Sequence, residues 1–358
     1  MTANFDLTDL AVQMVCPGNV LLYDDLGLPS VMVRLPKMTH KELGMGDSDS
    51  VHPLFLVNGK EIDEYYFSKF HNVINNGRAY SLPCQDPKAV ISFDTARQAC
   101  EAKGEGWHIN TAMARGFLIR WMNAQGFFPN GNNNYGKHSS ENFYKAIPTY
   151  RSDSGQIVRT ATGTGPLSWY HDNSPAGIAD LLGLWDWDGG IRSVCGELQI
   201  LANNNAADSS HSQAATSTEW KAINAATGEL VDPDGAGTTA GTIKMDWRNS
   251  KLTYSTSMTD ENRGQHGCTF NNIVVDETVG DAAKLLLQDL GFLLYSSDEL
   301  FGSHYCYFDN KEAERFFYSG GGYYGSACGA ASFSGFISRS NASTNIGFRA
   351  AFCKLPSE

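Results

Sequence analysis

No cluster of lysine or arginine occurs anywhere in this chain of 358 residues. Its 27 Lys and Arg stand against 39 Asp and Glu, a net charge of −12. With a pI near 5.2 the surface repels a phosphate backbone, which removes nucleic acid as a partner. No apolar run approaches the length of a membrane span; the longest, Leu290 to Tyr295, is broken by Gly291. No membrane insertion is expected. The opening Met1-Thr-Ala-Asn-Phe-Asp-Leu lacks a basic stretch followed by an apolar one, so no secretion leader is expected either. Eight cysteines stand singly at 16, 84, 100, 195, 268, 306, 328 and 353, without a Cys-x-x-Cys pair or a zinc-finger spacing. They read as free thiols of a reduced protein. There is no Gly-x-Ser-x-Gly elbow and no His-x-x-x-His pair among the nine histidines. His52, His71 and His108 therefore read as surface or partly buried, satisfied residues.

What the chain does have is rings and glycine. Its 15 Tyr, 19 Phe and 36 Gly tilt it towards loops and strands that carry exposed aromatics. Residues 1–50 read as a small β-rich module and linker, with strands at Val20 to Tyr23 and Val31 to Leu35 and a Gly/Ser/Asp-rich link from Gly44 to Ser50. Residues 51–358 read as the main, ligand-binding domain. In it, Leu54 to Val57 reads as a strand, Asn58-Gly59 as a turn and Glu61 to Phe70 as a helix. Ser92 caps a helix from Phe93 to Lys103 that buries Ala96, Ala99 and Cys100. Asn110 or Thr111 caps another, with Met113, Phe117 and Trp121 on one stripe and Gly126 at its end. A short helix is expected over Gly280 to Leu290. The polar stretches Phe128 to Ser140, Ala202 to Ser217 and Asp232 to Gly241 are long enough to be functional or mobile. From about 290 onwards the helical pattern gives way to short strands. Helices early and strands late predict an α+β fold.

The segment Phe316 to Cys353 contains no Lys, Glu, Gln, Met or Trp, and also no Asp, Pro, Leu, Val or His; Tyr, Ser, Gly and Phe dominate. Antibody loops use the same chemistry, pairing flat amphipathic rings with small adaptable residues. A codon argument fits it as well. Randomising both adenines of an Asn codon, AAC or AAT, can yield every residue present here, and cannot yield Lys, Glu, Gln, Met, Trp or a stop. A Gly/Ser/aromatic loop that arose without such a mechanism has the same composition.

The ending Arg339-Ser-Asn-Ala-Ser-Thr-Asn-Ile-Gly-Phe-Arg349, preceded by the Gly-Gly-x-Tyr turn at Gly320 to Tyr323, resembles the carboxy terminus of the C-type lectin fold of the formylglycine-generating-enzyme-like type. Within that branch it resembles the variable proteins of diversity-generating retroelements. Gly177-Ile-Ala-Asp-Leu-Leu-Gly-Leu-Trp-Asp-Trp187 is similar to a shortened form of the branch's Gly-Leu-x-Asp-x-x-Gly-Asn-Val-Trp-Glu-Trp motif. Ile191 to Ile200 resembles the strand pair that follows it in phage members.

This resemblance implies a constant scaffold carrying a variable region at about 316–345. The implied ligand-binding residues are Phe317, Tyr318, Gly322, Tyr323, Tyr324, Ser326, Cys328, Ser332, Ser334, Phe336 and Ser338. Phe333, Ile346, Phe348 and Phe352 are implied core residues, and Arg349 a structural hydrogen-bond donor. The implied function is receptor recognition on a phage tail or a bacterial cell surface, against a host-cell or environmental protein or glycan. No cofactor and no metal are expected, and a homo-oligomer is left open.

The alternative is an oxidase on the same fold. The branch's enzymes hold copper with two cysteines, which would fall at Gly325 and Ala330, so both thiolates are missing. The Glu-Pro-Asn, Gln-Pro-Asp and Trp-Asn-Asp triplets of calcium-dependent sugar lectins are also missing. Asp232-Pro-Asp-Gly235 and Trp185-Asp-Trp-Asp188 read as a backbone turn and a core tryptophan motif.

Overall fold

Most of the chain is sheet, because its short aromatic and β-branched runs pleat readily and are cut by glycine before they could complete a helix. The computed structural model describes residues 7–171, 177–201, 212–259, 263–296, 301–325 and 328–356, a mixed α+β protein. Among the described residues four α-helices occur: Leu7–Val15 (α1), Phe93–Glu101 (α2), Ala112–Ala124 (α3) and Asp281–Asp289 (α4).

The helix ends obey capping chemistry. The Ser92 hydroxyl accepts from Thr95 N–H at 3.3 Å, and α2 buries Phe93, Ala96, Ala99 and Cys100. Thr111 caps α3, accepting from Ala114 N–H at 3.2 Å. The α3 helix is buried nearly all round. At Gly116 a Cβ would collide with the Asp289 carbonyl, so glycine lets α4 end directly against α3. Arg120 then donates to the carbonyls of Gln288 at 3.1 Å and Leu293 at 2.6 Å, which closes the end of α4.

Several expectations fail. Glu61 to Phe70 is not helical: Tyr65–Ser68 is a strand with all four residues buried. A run of three aromatics covered on both faces suits the middle of a sheet better than an amphipathic helix. The first 50 residues are also not purely β, since α1 precedes the hairpin. Leu10, Ala11 and Met14 of α1 do carry helical spacing.

Nor do these residues form a separate module. The hairpin Asn19–Tyr23/Pro29–Leu35 joins a five-stranded antiparallel sheet through Tyr65–Ser68, followed by Ala350–Cys353 and Trp107–Ile109. Within the expected linker, Met45 is buried in the main core. A second, thirteen-stranded sheet runs in the order Gln265–Thr269, Tyr305–Asp309, Phe333–Ile337, Arg315–Gly322, Trp185–Val194, Glu197–Leu201, and on to Val274–Val275.

Residues 346–353 stitch the two sheets together. Ile346–Gly347 pairs parallel with Trp185–Val194, while Ala350–Cys353 lies in the smaller sheet. Arg349, between them, is fully buried and donates to five acceptors. Its Nε meets Asp186 Oδ2 at 2.9 Å, and its Nη groups reach the carbonyls of Ser68, Lys69, Ala179 and Asp180 at 2.8 to 3.2 Å. Burial pushes the Asp186 carboxyl up, but His71 and Arg349 hold it well below the usual carboxylate range.

The three histidines expected near the surface are buried as well. His71 Nδ1 meets Asp186 at 2.9 Å, His108 Nε2 meets the Tyr65 hydroxyl at 2.8 Å, and His52 Nδ1 accepts from Leu54 N–H at 3.2 Å. Asp186 and Asp188 of the tryptophan motif lie in this interior, and Trp187 donates to the Ile91 carbonyl at 3.0 Å. In the 232–235 turn Asp234 accepts from Ala236 N–H at 2.8 Å, so that acid serves its own backbone.

Candidate ligand-binding surface

The strand Arg315–Gly322 carries the segment singled out by composition, and its pleat decides where each side chain goes. Phe317 points into the main core against Phe292 at 4.8 Å and Phe333 at 6.1 Å. Tyr318 points to the opposite face, with Trp185 at 4.9 Å and Phe336 at 6.3 Å. Phe336 continues to Tyr307 at 5.0 Å, and Tyr307 to Tyr305 at 6.3 Å. A row of rings thus crosses four neighbouring strands. Tyr318 is buried beneath it, while Trp185, Phe336, Tyr307 and Tyr305 are half-buried.

At the end of the strand the chain turns. Gly320 has φ +90°, and a Cβ there would lie 2.6 Å from the Leu181 carbonyl and 2.8 Å from Arg115 Nη2. Only glycine takes this position without strain. Beyond it, Tyr323 and Tyr324 form a tip that docks onto the polar loop at 128–140. Tyr135 N–H donates to the Tyr323 carbonyl at 2.8 Å, and Asn134 bridges Tyr324. The rings of Tyr323 and Tyr324 are 4.9 Å apart, and Tyr135 lies 5.9 and 6.5 Å from them. Burial raises the Tyr323 phenol, and the neighbouring Tyr324, Tyr135 and Tyr150 raise it further. Tyr324 is 52% exposed.

The expected positions therefore divide. Tyr323, Tyr324, Phe336 and Ser338 reach the surface fully or in part, and Ser338 Oγ lies 3.0 Å from Ser340 Oγ. Cys328 is half-buried; its N–H donates to the Gly325 carbonyl at 3.0 Å, and burial pushes its thiol up to about 11. Gly322 has little room: a Cβ would lie 3.1 Å from Trp185 Nε1 and 3.2 Å from Asn345 Nδ2. Phe317, Tyr318, Gly322, Ser332 and Ser334 are corrections, because all five are buried. Ser332 Oγ accepts from Tyr305 N–H at 3.2 Å and Gly329 N–H at 3.0 Å, and so holds the turn. Ser334 lies opposite Tyr318 across the ladder. Ser326 lies outside the described residues.

Among the implied core residues Phe333, Ile346 and Phe348 are buried. Phe352 is half-buried, with Trp107 at 5.1 Å.

Tyr135, Trp185, Tyr305 and Tyr307 belong to this surface and were not anticipated. Of these, only Tyr135 carried a signal, since it sits in a loop long enough to be functional. Among the described residues no group of three or more His, Cys, Asp or Glu is placed to hold a metal ion, and no helix is long and apolar enough to cross a membrane.

No protein-family profile matches the chain, and no curated protein matches it. Among solved structures it is similar to PvdO from Pseudomonas aeruginosa, at 10% identity over 94% of this chain and 98% of that one, with a TM-score of 0.33. A superposition this loose carries no argument about fold family or activity.

Proposed function

We propose that this chain is a non-enzymatic recognition protein. It holds variable aromatic residues on a constant scaffold of the C-type lectin type, as variable proteins of diversity-generating retroelements do. The observation that carries the reading is the tyrosine tip. Tyr323 and Tyr324 stand outside the buried core, at the end of a strand whose opposite face is sealed in it. Side chains there can change while Phe317, Gly320, Ser332 and Arg349 keep the frame, because exposed substitutions typically cost within about ±0.5 kcal/mol. Aromatic anchors ringed by neutral residues are what binding hot spots use. The partner is a surface protein or glycan, and the setting is a phage tail or a bacterial cell surface.

The oxidase alternative gains no observation. Gly325 and Ala330 supply no ligand atoms, which leaves Cys328 without the second thiolate such a site uses.

Deep sequencing of the locus across its source population tests the proposal. Substitutions confined to adenine-derived codons at the exposed positions between Tyr323 and Ser338, with Phe317, Gly320, Ser332, Phe333 and Ile346 to Arg349 constant, are expected. Changes spread evenly along the gene would overturn it.

A further inference from the structure

Beside the tyrosine tip lies a cleft of about 350 Å³, formed between the loop at 128–139 and the turn at 328–330. Both segments also build the tip, so cleft and tip share a wall. The volume falls in the range of roughly 300–1,000 Å³ typical of small-molecule sites.

The chemistry of its lining is narrow. Phe128, Leu182 and Ala330 give apolar lining, and Asn130, Asn133, Ser139, Ser303, His138 and His304 supply the polar groups. Among the described residues no Lys, Arg, Asp or Glu lines it. Burial lowers His304 to about 4, and lowers His138 against the pull of Glu141, so both rings are neutral at pH 7. Glu141, behind the wall, is occupied by four protein donors: Asn130 Nδ2, the Ser168 hydroxyl, Trp169 Nε1 and His138 N–H. The Asn133 Oδ1 accepts from Ser139 N–H at 2.8 Å. By contrast, His304 Nδ1 is buried with no hydrogen-bond partner among the described residues.

A charged ligand entering this space would lose its water without gaining a counter-charge. A wholly apolar one would strand amide, hydroxyl and imidazole groups away from solvent. The remaining class is uncharged, rich in hydrogen-bonding groups and flat on one side. We infer that the cleft binds an uncharged saccharide unit, one face against Phe128 and Leu182 and its hydroxyls on the Asn, Ser and His groups, without a bridging calcium ion. This deepens the recognition reading by naming the ligand class of that face, and rests on it.

Saturation-transfer NMR with methyl glycosides of glucose, galactose, mannose and N-acetylglucosamine, in the presence of a calcium chelator, tests the inference on the full chain. Transfer to at least one sugar is expected. It should fall ~10-fold or more in Ser139→Trp, which fills the mouth from an exposed position, and in His304→Phe, which keeps a ring against Phe128 and Phe301. Thermal melting checks that both variants remain folded. No transfer to any sugar, transfer unchanged in two folded variants, or transfer abolished by the chelator would each overturn the cleft. An empty panel alongside adenine-confined variation at the locus removes the saccharide and keeps the variable surface. Cleft-dependent sugar binding with evenly spread variation does the reverse.

Discussion

Phe317 and Tyr318 are neighbours in the chain but are buried in different cores on opposite faces of their strand. The Phe317 ring is sealed against Phe292 and Phe333, whereas Tyr318 lies beneath the aromatic row formed with Trp185 and Phe336. One residue of register separates the main core from the layer beneath the aromatic row.

That division sets the first prediction. Phe317→Ala leaves a cavity in a fully buried site and is expected to cost about 3–5 kcal/mol. Tyr324→Ala removes a ring that is half exposed and is expected to stay within about ±0.5 kcal/mol. Urea unfolding of the two variants measures the contrast. Equal losses would place Tyr324 in the scaffold and remove it from the recognition surface.

Arg349 gives the second. Its guanidinium satisfies five acceptors inside the protein, so Arg349→Met strands the Asp186 carboxylate and four carbonyls. A loss of about 3–5 kcal/mol is expected. Arg349→Lys should fail to restore it, because a point charge on a flexible stem cannot span donors placed for a planar fork. Restoration by lysine would show that charge alone holds this junction.

A third prediction concerns pH. His40 Nε2 lies 3.0 Å from Asp289 Oδ1, and that hydrogen bond raises the imidazole above its ordinary value while burial opposes it. The groups around it are Asp289, the Ser50 carbonyl and hydroxyl, and His52, whose ring lies 5.7 Å away and which burial, with Arg120 beside it, lowers to about 4. A histidine raised in the folded state contributes stability that is complete below about pH 6.5 and fades as pH rises through the folded value. The difference in melting temperature between wild type and His40→Gln should therefore be larger at about pH 5.5 than at about pH 9. An equal or reversed difference would show that the pair is not ionised in the folded protein.

The fourth bears on chemistry at the turn. With its thiol pushed up to about 11 by burial, Cys328 should alkylate at neutral pH at least ~10-fold more slowly than an unperturbed cysteine. Mass spectrometry after timed iodoacetamide treatment gives the rate. Fast labelling of this residue would reveal a thiolate and bring the oxidase alternative back.

The sequence by itself determined much of the local architecture. Caps at Ser92 and Thr111 and the apolar stripe of α3 depend on contacts within a few residues, which a linear pattern records directly. It also marked the ring-rich segment, and placed Arg349 as a structural donor. Only the tertiary structure decided which residues of that segment are surface. Composition has no register, and a strand turns alternate side chains to opposite faces, so Phe317 and Ser332 could not be told from Tyr324 beforehand. The strand at Tyr65–Ser68 and the union of the first 50 residues with Ala350–Cys353 rest on pairings between residues nearly 300 positions apart, as Ala351 with Phe67 shows. The other rings of the aromatic row and tip, Tyr135, Trp185, Tyr305 and Tyr307, come from three separate stretches of chain. Packing brings those rings together, and no local signal in the sequence does.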